Sequence, residues 1–245
     1  MKKAMIFAAG LGSRLSPLTD DRPKALIMLQ GKTLLQRAVE KLAAAGVKLL
    51  VINVHHFSSL MYQAIEQLKY PGLQIAVSDE SGQLLETGGG LVKAAGLLAG
   101  EEPFFLYNVD VISGIDLNSM YAYHQQNGAL ATLAVSRRTS TRYFLWEQKR
   151  LCGWQNEVSG DKVICFPVSS TPQKLAFSGI HVVSPQVLEL ITEKGRFSIN
   201  KLYLRLAAKF PVMAYEHDAT FWADVGTPEK LSKAEKMLKE NPDKF

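Results

Sequence analysis

The amino-acid sequence predicts an α/β protein with a mostly parallel central sheet and a smaller β-rich lobe. Residues 1–136 alternate short apolar runs with segments of helical periodicity, which is typical of parallel strands covered by helices. After residue 137 the pattern changes to short alternating segments separated by turn residues. The 245 residues are 47% hydrophobic and 21% charged, a composition that supports one large globular core.

The first 136 residues contain the elements of the parallel part. Strands are predicted over residues 4–9, 49–54, 73–78, 103–107 and 129–136, and helices over residues 33–45, 58–68, 87–99 and 117–126. The first helix has the clearest periodicity, because Leu35, Val39 and Leu42 share one face and Gly46 follows its end.

The remaining residues contain the lobe and a final helix. A β-hairpin is predicted with its turn at residues 148–150, followed by a strand over 174–183, helices near 185 and over 199–209, and an extended segment over 221–225. We therefore expect a single domain over residues 1–245. Its first part covers 1–136, its lobe covers 137–226, and a C-terminal helix covers 227–245.

Charge and cysteine content exclude several classes of protein. The formal net charge is +5 without a run of cations, which suits phosphorylated ligands and predicts no nucleic-acid surface. Cys152 and Cys165 lack the spacing of a zinc site, so we expect no zinc and a reducing compartment. The first apolar stretch ends at Gly10 and no later run reaches about 18 apolar residues, so neither a signal peptide nor a membrane span is expected. A cytoplasmic location is predicted.

The glycine-rich turn after the first strand is the main functional signal. Without a Cβ, a glycine backbone approaches an anion closely and presents its N–H groups. The dinucleotide fingerprint GxGxxG fails at Leu15, and a P-loop ending in Gly31-Lys32-Thr33 would require a glycine at Leu26. What remains is a turn with two cations, Arg14 and Lys24, which predicts a polyphosphate site. The alternative is a mobile turn with two surface cations.

This segment resembles the signature of the sugar-1-phosphate nucleotidyltransferases, AAGxGxRLxPLTxxxPKxL. The matching positions are Ala8, Ala9, Gly10, Gly12, Arg14, Leu15, Pro17, Leu18, Thr19, Pro23, Lys24 and Leu26. The resemblance covers nearly the whole chain and is strongest to the short uridylyl- and guanylyltransferases. It implies a Rossmann-like sheet of the nucleotide-diphospho-sugar transferase type. It further implies that Ala9, Gly10, Gly12, Ser13 and Arg14 hold a nucleoside triphosphate, with Lys24 at the phosphate near the reacting centre.

A second glycine-rich segment, Glu86-Thr87-Gly88-Gly89-Gly90, opens a predicted helix. Glycine costs up to about 1 kcal/mol relative to alanine inside a helix, so something must require the bare backbone. The family resemblance implies that Glu86, Thr87, Gly88 and Gly89 bind the base and ribose of the nucleotide. The alternative is a plain helix start with Thr87 as the N-cap.

Two aspartates are the candidate metal ligands. Asp110 follows a buried apolar strand, where ligands bind in open α/β sheets, and Asp224 lies in the segment WADVGT. Each aspartate alone is as often a turn former or a cap. The resemblance implies that the pair binds Mg²⁺, whose sites use one or two carboxylates and substrate phosphates. Val109 departs from the small residue that the family usually has there.

The resemblance implies that the lobe binds the sugar. The candidate residues are Asn108, Glu147, Gly153, Ser178 and Gly179, with Gly179 in a strand where a ligand or a bulge requires glycine. Residues 139–148, TSTRYFLWEQ, do not follow the uridylyltransferase that the rest of the chain resembles most. The identity of the sugar therefore remains open.

The expected activity is Mg²⁺-dependent nucleotidyl transfer from an NTP, UTP or GTP, to a sugar-1-phosphate, as in the synthesis of cell envelope precursors. Arg14, Lys24 and Asp110 are the expected catalytic residues. The alternatives are a non-catalytic nucleotide-sugar sensor, a cytidylyltransferase acting on phosphocholine, and a nicotinamide-dependent oxidoreductase, which the incomplete fingerprint disfavours. A monomer or small homo-oligomer is expected.

Overall fold

The computed structural model describes residues 1–240 and contains one ten-stranded mixed sheet. The strands are β1 (Lys3–Phe7), β2 (Met28–Leu29), β3 (Lys32–Thr33), β4 (Leu49–Val54), β5 (Gln74–Asp79), β6 (Phe104–Asn108), β7 (Val111–Ser113), β8 (Ala131–Ser136), β9 (Arg142–Glu147), β10 (Arg150–Asn156), β11 (Lys162–Ile164), β12 (Gln173–Val183), β13 (Val212–Glu216) and β14 (Trp222–Asp224). The helices are α1 (Leu34–Ala44), α2 (Ser58–Glu66), α3 (Glu86–Leu98), α4 (Leu117–Gln126), α5 (Gln186–Leu190), α6 (Ile199–Ala207) and α7 (Pro228–Glu240).

The parallel part of the sheet has the strand order β5, β4, β1, β6. Alternate residues of β1 face opposite layers: Ile6 packs with α1, α2 and α4, whereas Met5 packs with α3 and α6. Helices therefore cover both faces, which explains the continuous apolar strands. The predicted α/β class with a Rossmann-like sheet is confirmed.

The lobe continues the same sheet instead of forming a separate layer. Strand β12 pairs antiparallel with β6, and the order then continues through β8, β13, β10 and β11. The predicted hairpin is present, with Gln148 and Lys149 at positive φ in its two-residue turn. Strand β11 was not predicted, because its three residues are all exposed and give no alternating pattern.

Two short strands close the edge of the sheet where the parallel strands end. Strand β14 pairs with β7 in a small antiparallel ladder that places Asp224 opposite Val111. The predicted C-terminal helix is present as α7, and residues 241–245 of that prediction lie outside the described residues. Across residues 1–240, no helix combines the length and apolar character that crossing a membrane requires.

Candidate active site

A cavity of about 560 Å³ opens where the parallel strands end. In sheets of this kind, ligands bind at the carboxyl ends of the strands, where the strand order reverses. The reversal here lies between β1 and β6. Predicted site residues that line the cavity are Ala9, Gly10, Arg14, Lys24, Glu86, Thr87, Asn108 and Asp110. The sequence therefore identified residues from four separate segments that the fold brings together.

The glycine-rich loop that follows β1, residues 8–14 (the glycine loop), is held in place by Asn53, a residue that the sequence analysis missed. The Asn53 side-chain oxygen accepts hydrogen bonds from the backbone N–H groups of Ala8, at 2.6 Å, and Ala9, at 3.2 Å. Its amide nitrogen donates to the buried carboxylate of Glu80 at 2.7 Å. Burial raises the pKa of Glu80 above its ordinary value. Asn53 thus ties the loop to the end of the neighbouring strand.

The next N–H groups along the loop have no partner inside the protein. Within residues 1–240, the backbone N–H groups of residues 10–14 make no hydrogen bond. Gly12 has a φ of 67°, and a Cβ at this position would lie 3.0 Å from the Lys24 side chain. The Thr19 hydroxyl holds the turn by donating to the Gly12 carbonyl at 3.0 Å. The loop therefore presents unpaired donors on a fixed backbone, as an anion site requires.

The first candidate metal ligand is paired with a lysine. Lys24 is only 9% exposed, and its ammonium group forms an ion pair with the Asp110 carboxylate. A lysine held this deeply needs such a partner, because burial disfavours an isolated charge. The carbonyl of Asp110 also accepts from the N–H of Val225 at 2.9 Å, which joins the two aspartate-bearing segments.

Asp224 lies beside this pair. Its carboxylate contacts Lys230 at 2.5 Å and accepts from the Gly226 N–H at 2.8 Å. Burial favours its protonated form, but Lys230, the Gly226 N–H and Lys24 together hold the pKa of Asp224 below its usual value. A Cβ on Gly226 would lie 2.7 Å from Asp224, 3.3 Å from Arg14 and 3.6 Å from Lys24. The predicted cations and the second aspartate therefore converge around Gly226.

The segment at Glu86 begins α3 directly, so Thr87 is not the N-cap. Thr87 lies in the first turn, and its hydroxyl accepts from the Ile199 N–H at 3.0 Å. Glu86, at a φ of 59°, pairs with Arg196 at 2.9 Å. Both residues line the cavity, and they join α3 to the first residue of α6 and to the segment before it.

The three glycines that follow are required by packing inside the protein. A Cβ on Gly88 would overlap the Phe197 ring, and one on Gly89 would overlap the Gly195 carbonyl. A Cβ on Gly90 would lie 2.7 Å from the Glu80 carboxylate. Gly88 and Gly89 do not line the cavity, so their contact with a nucleotide stays a prediction.

Two of the predicted sugar-binding residues lie next to each other at the lobe boundary. Gly179 has a φ of 76°, and a Cβ there would lie 2.9 Å from the side chain of Asn108. The glycine therefore lets β12 pass close to the end of β6. Ser178 is fully buried, and its hydroxyl lies 2.7 Å from His217 Nε2 and 3.3 Å from Arg138. Its polar group serves this internal network.

The structure places Glu147 and Gly153 away from the cavity. The Glu147 carboxylate accepts from the backbone N–H and the hydroxyl of Ser169, each at 2.7 Å. Gly153 packs against the Val163 backbone in the β10–β11 pair, where a Cβ would overlap it. Neither residue lines the cavity, because both are engaged in the outer hairpin of the lobe.

Arg142 and Ser198 line the cavity but were not predicted. Arg142 lies in the segment that departs from the expected pattern, so the resemblance gave no signal for it. Asn53 and Glu80 follow a simpler rule, because each stands at or just after the carboxyl end of a parallel strand.

A Rossmann-like sheet whose carboxyl end carries an unpaired amide loop, two cations and two carboxylates is suited to an enzyme that acts on phosphorylated nucleotides. The family model for nucleotidyl transferases matches residues 3–241, and the chain belongs to this family. It is a nucleotidyltransferase, as the sequence predicted.

Individual relatives agree with this assignment. The chain is 34% identical over 247 residues to N-acetylmuramate alpha-1-phosphate uridylyltransferase of Caulobacter vibrioides, covering 98% of each protein. It is 30% identical to mannose-1-phosphate guanyltransferase of Yarrowia lipolytica, covering 92% of this chain but only 61% of that protein. The structure of UDP-glucose pyrophosphorylase from Acinetobacter baumannii superposes with a TM-score of 0.78 at 18% identity, covering 99% of this chain and 95% of that one. At this identity the structural match concerns the fold alone.

Proposed function

We propose that the protein transfers a nucleotidyl group from UTP or GTP to a sugar-1-phosphate, giving an NDP-sugar and pyrophosphate. The relatives named above are a uridylyltransferase and a guanyltransferase that act on sugar-1-phosphates. The observation that carries the proposal is that Gly10 and Arg14, whose backbone N–H groups are unpaired, line the same cavity as the Lys24–Asp110 pair. Gly12 and Ser13 do not line it, so their contact with the triphosphate stays a prediction. Such a site suits a triphosphate that is cleaved next to a second phosphate.

The reaction needs no protein nucleophile. An oxygen of the sugar-1-phosphate attacks the α-phosphorus of the NTP, and pyrophosphate leaves on the opposite side. Both reactants are anions, so positioning and charge neutralisation supply most of the rate enhancement. Arg14 and the loop amides hold the leaving pyrophosphate, and Lys24 stabilises the charge that develops at the α-phosphoryl group.

The two aspartates are suited to hold Mg²⁺. Residues 1–240 contain no cluster of three or more metal-binding side chains, so an ion here would be bound by Asp110, Asp224 and substrate oxygens. This composition agrees with the usual magnesium site of one or two carboxylates plus phosphates and waters. When bound, Mg²⁺ would neutralise phosphate charge. Lys24 and Lys230 compensate the two carboxylates in the protein alone.

The test is pyrophosphate release from the purified full chain with Mg²⁺. UTP, GTP, CTP, dTTP and ATP are each combined with N-acetylmuramate 1-phosphate, mannose 1-phosphate, glucose 1-phosphate and phosphocholine. Release is expected with UTP or GTP and one sugar-1-phosphate, and its loss after EDTA treatment tests the metal. Nucleotide binding without pyrophosphate release from any pair would contradict the proposal, and release only with CTP and phosphocholine would replace its substrates.

A further inference from the structure

Arg142 is a cation that faces the cavity without a partner. It begins β9, lines the cavity and is exposed. Across residues 1–240, its guanidinium group makes no hydrogen bond and no ion pair with the protein. A guanidinium can donate two parallel hydrogen bonds to a phosphate, and an unpaired one keeps that capacity for a ligand.

The backbone around Arg142 is fixed although its head group is free. The Ser140 hydroxyl donates to the Arg142 carbonyl at 3.0 Å and accepts from its N–H at 3.3 Å. The Ser140 N–H donates to the Tyr143 hydroxyl at 2.8 Å. Arg142 also stands opposite Asn156 in the β9–β10 ladder. The chain therefore holds the base of the side chain in place at the cavity wall.

Several neighbouring cations of the lobe are already engaged. Arg137 pairs with Glu216 and Asp218, Arg138 donates to the carbonyls of Ala176 and Phe177, Lys174 pairs with Glu157, Arg196 pairs with Glu86, and Arg205 pairs with Glu193. None of these five cations lines the cavity, whereas Arg142 does. It is thus the cationic side chain that the lobe contributes to this wall.

The strand order places Arg142 and the glycine loop on opposite sides of β6. The glycine loop follows β1, whereas β9 pairs with β12 on the other side of β6. Between them lie Asn108 and Asp110, at and just after the end of β6. The cavity therefore has one unpaired arginine, Arg14, on the side of the loop and another, Arg142, on the side of the lobe.

We propose that Arg142 binds the phosphate group of the acceptor substrate. This inference rests on the proposed function, because that reaction brings a second phosphorylated molecule into the cavity. The cations that line the cavity are Arg14, Lys24 and Arg142. Lys24 is paired with Asp110, and the proposed reaction assigns Arg14 to the leaving pyrophosphate. A dianionic acceptor therefore needs a cation of its own beside the groups that hold the triphosphate.

The test compares Arg142→Gln with Arg137→Gln, a matched control whose guanidinium pairs with Glu216 and Asp218 outside the cavity. Initial rates are measured with each substrate varied against the other, using the pair that gives release in the pyrophosphate assay. For Arg142→Gln, the acceptor KM should rise about 10- to 100-fold, the loss expected for a charged hydrogen-bond pair. The NTP KM should stay within about twofold, a small difference in binding energy.

Arg142→Lys should give an intermediate acceptor KM, because it keeps the charge and loses the paired hydrogen bonds. An unchanged acceptor KM in active Arg142→Gln would overturn this inference alone. An equal rise in the NTP KM would also overturn it, because Arg142 would then bind the donor.

If the wild-type protein transfers a nucleotidyl group to no acceptor, the proposed function fails, but binding of the acceptor by Arg142 can still be tested. Calorimetric titration of mannose 1-phosphate and N-acetylmuramate 1-phosphate then tests Arg142 directly. Binding by the wild type that Arg142→Gln loses would support the inference. Equal binding by both proteins, or no binding by the wild type, would overturn it.

Discussion

The two parts of the molecule that meet at the cavity, residues 1–136 and the lobe, differ in how their polar groups are used. In residues 1–136, the amides of residues 10–14 and the Arg14 guanidinium are unpaired and available to a ligand. In the lobe, the Ser178 hydroxyl hydrogen-bonds to both His217 and Arg138, and the Arg138 guanidinium stacks 3.9 Å from the Trp222 ring centre; none of these three residues lines the cavity. The first part therefore presents unpaired donors, whereas the lobe uses these polar groups internally and contributes the unpaired Arg142 to the cavity.

Under the proposed function, this difference separates binding of the NTP, by residues 1–136, from selection of the acceptor, by the lobe. A triphosphate can be held by backbone amides, which depend on the shape of one loop and little on side chains. Under the proposed function, recognition of the acceptor would depend on side chains such as Arg142, which the lobe brings to the cavity. We therefore expect changes in the first part to affect every substrate pair, and changes in the lobe to affect the choice of acceptor.

The largest expected effect is that of Asp110→Asn in the first part. Loss of this carboxylate removes a proposed metal ligand and leaves Lys24 without its partner, so kcat should fall about 10²- to 10³-fold. Steady-state rates over a Mg²⁺ titration measure the effect. Asp79→Asn, at the end of β5 and outside the cavity lining, is the control and should keep its activity. An Asp110→Asn variant with full turnover and an unchanged magnesium dependence would refute the metal role.

The next largest effect is expected for Asn53→Ala, which breaks the support of the glycine loop. The change leaves the N–H groups of Ala8 and Ala9 and the Glu80 carboxylate without their partner. The free energy of unfolding should fall by about 2–3 kcal/mol, because buried polar groups are left unpaired. Urea denaturation measures the loss, and the NTP KM should rise with it.

Asn127→Ala is the control for this change, since Asn127 is an exposed residue that bonds only within the end of α4. Stability of Asn53→Ala equal to that of the control would show that the loop does not depend on Asn53.

A smaller effect is expected for substitutions in α3, where protein stability tests whether the glycines at its start are required by packing. Gly88→Ala should cost about 1–3 kcal/mol, because its Cβ would overlap Phe197 in a closely packed contact. Gly96→Ala in the same helix meets open space and should stabilise the protein by about 0.5–1 kcal/mol. Paired urea denaturation curves compare the two. Equal stabilities would contradict the packing explanation for Gly88.

The last prediction concerns the pH dependence of stability and the buried His124. Burial lowers the pKa of His124 to about 4, and its ring nitrogens lie 3.0 Å from the hydroxyls of Thr132 and Ser184. The unfolded chain binds the proton below its ordinary pKa of 6.5 while the folded chain does not, so stability is lost as pH falls from 6.5 towards 4. The loss from this residue approaches about 1.4 kcal/mol per pH unit.

His124→Gln should reduce that pH dependence, because glutamine keeps polar atoms at the site but does not titrate in this range. Unfolding free energies of the two proteins at pH 7 and pH 5 provide the comparison. Identical pH dependence would contradict the assignment of a neutral, buried imidazole.

The sequence located the glycine-rich turn and its two cations because they are local. The glycine turn, Arg14 and Lys24 lie within one short segment, so their pattern is visible without the fold. The apolar strands of the parallel part were predicted for a similar reason, since each is a continuous run. Asp110 and Asp224 were paired only through the family resemblance, and the β7–β14 ladder supplies the physical reason for their proximity.

The missed residues depend on contacts between distant segments. Asn53 and Glu80 acquire their role only when β4 and β5 lie beside β1, and neither forms a pattern in the sequence. The entropic cost of the glycines at 88–90 correctly indicated that a bare backbone is needed. One neighbour that leaves no room for a Cβ is Phe197. It lies far along the chain and cannot be identified from the glycines themselves.

The most direct test of nucleotidyl transfer at this cavity is a phosphorus NMR spectrum of the reaction mixture. Full-length protein is incubated with Mg²⁺, the NTP and the sugar-1-phosphate, beside a parallel sample of Lys24→Ala. Transfer predicts pyrophosphate and an NDP-sugar diphosphate in equal amounts with the wild type, and strongly reduced amounts with the variant. A nucleoside diphosphate with orthophosphate, or a wild-type spectrum that does not change, would contradict transfer.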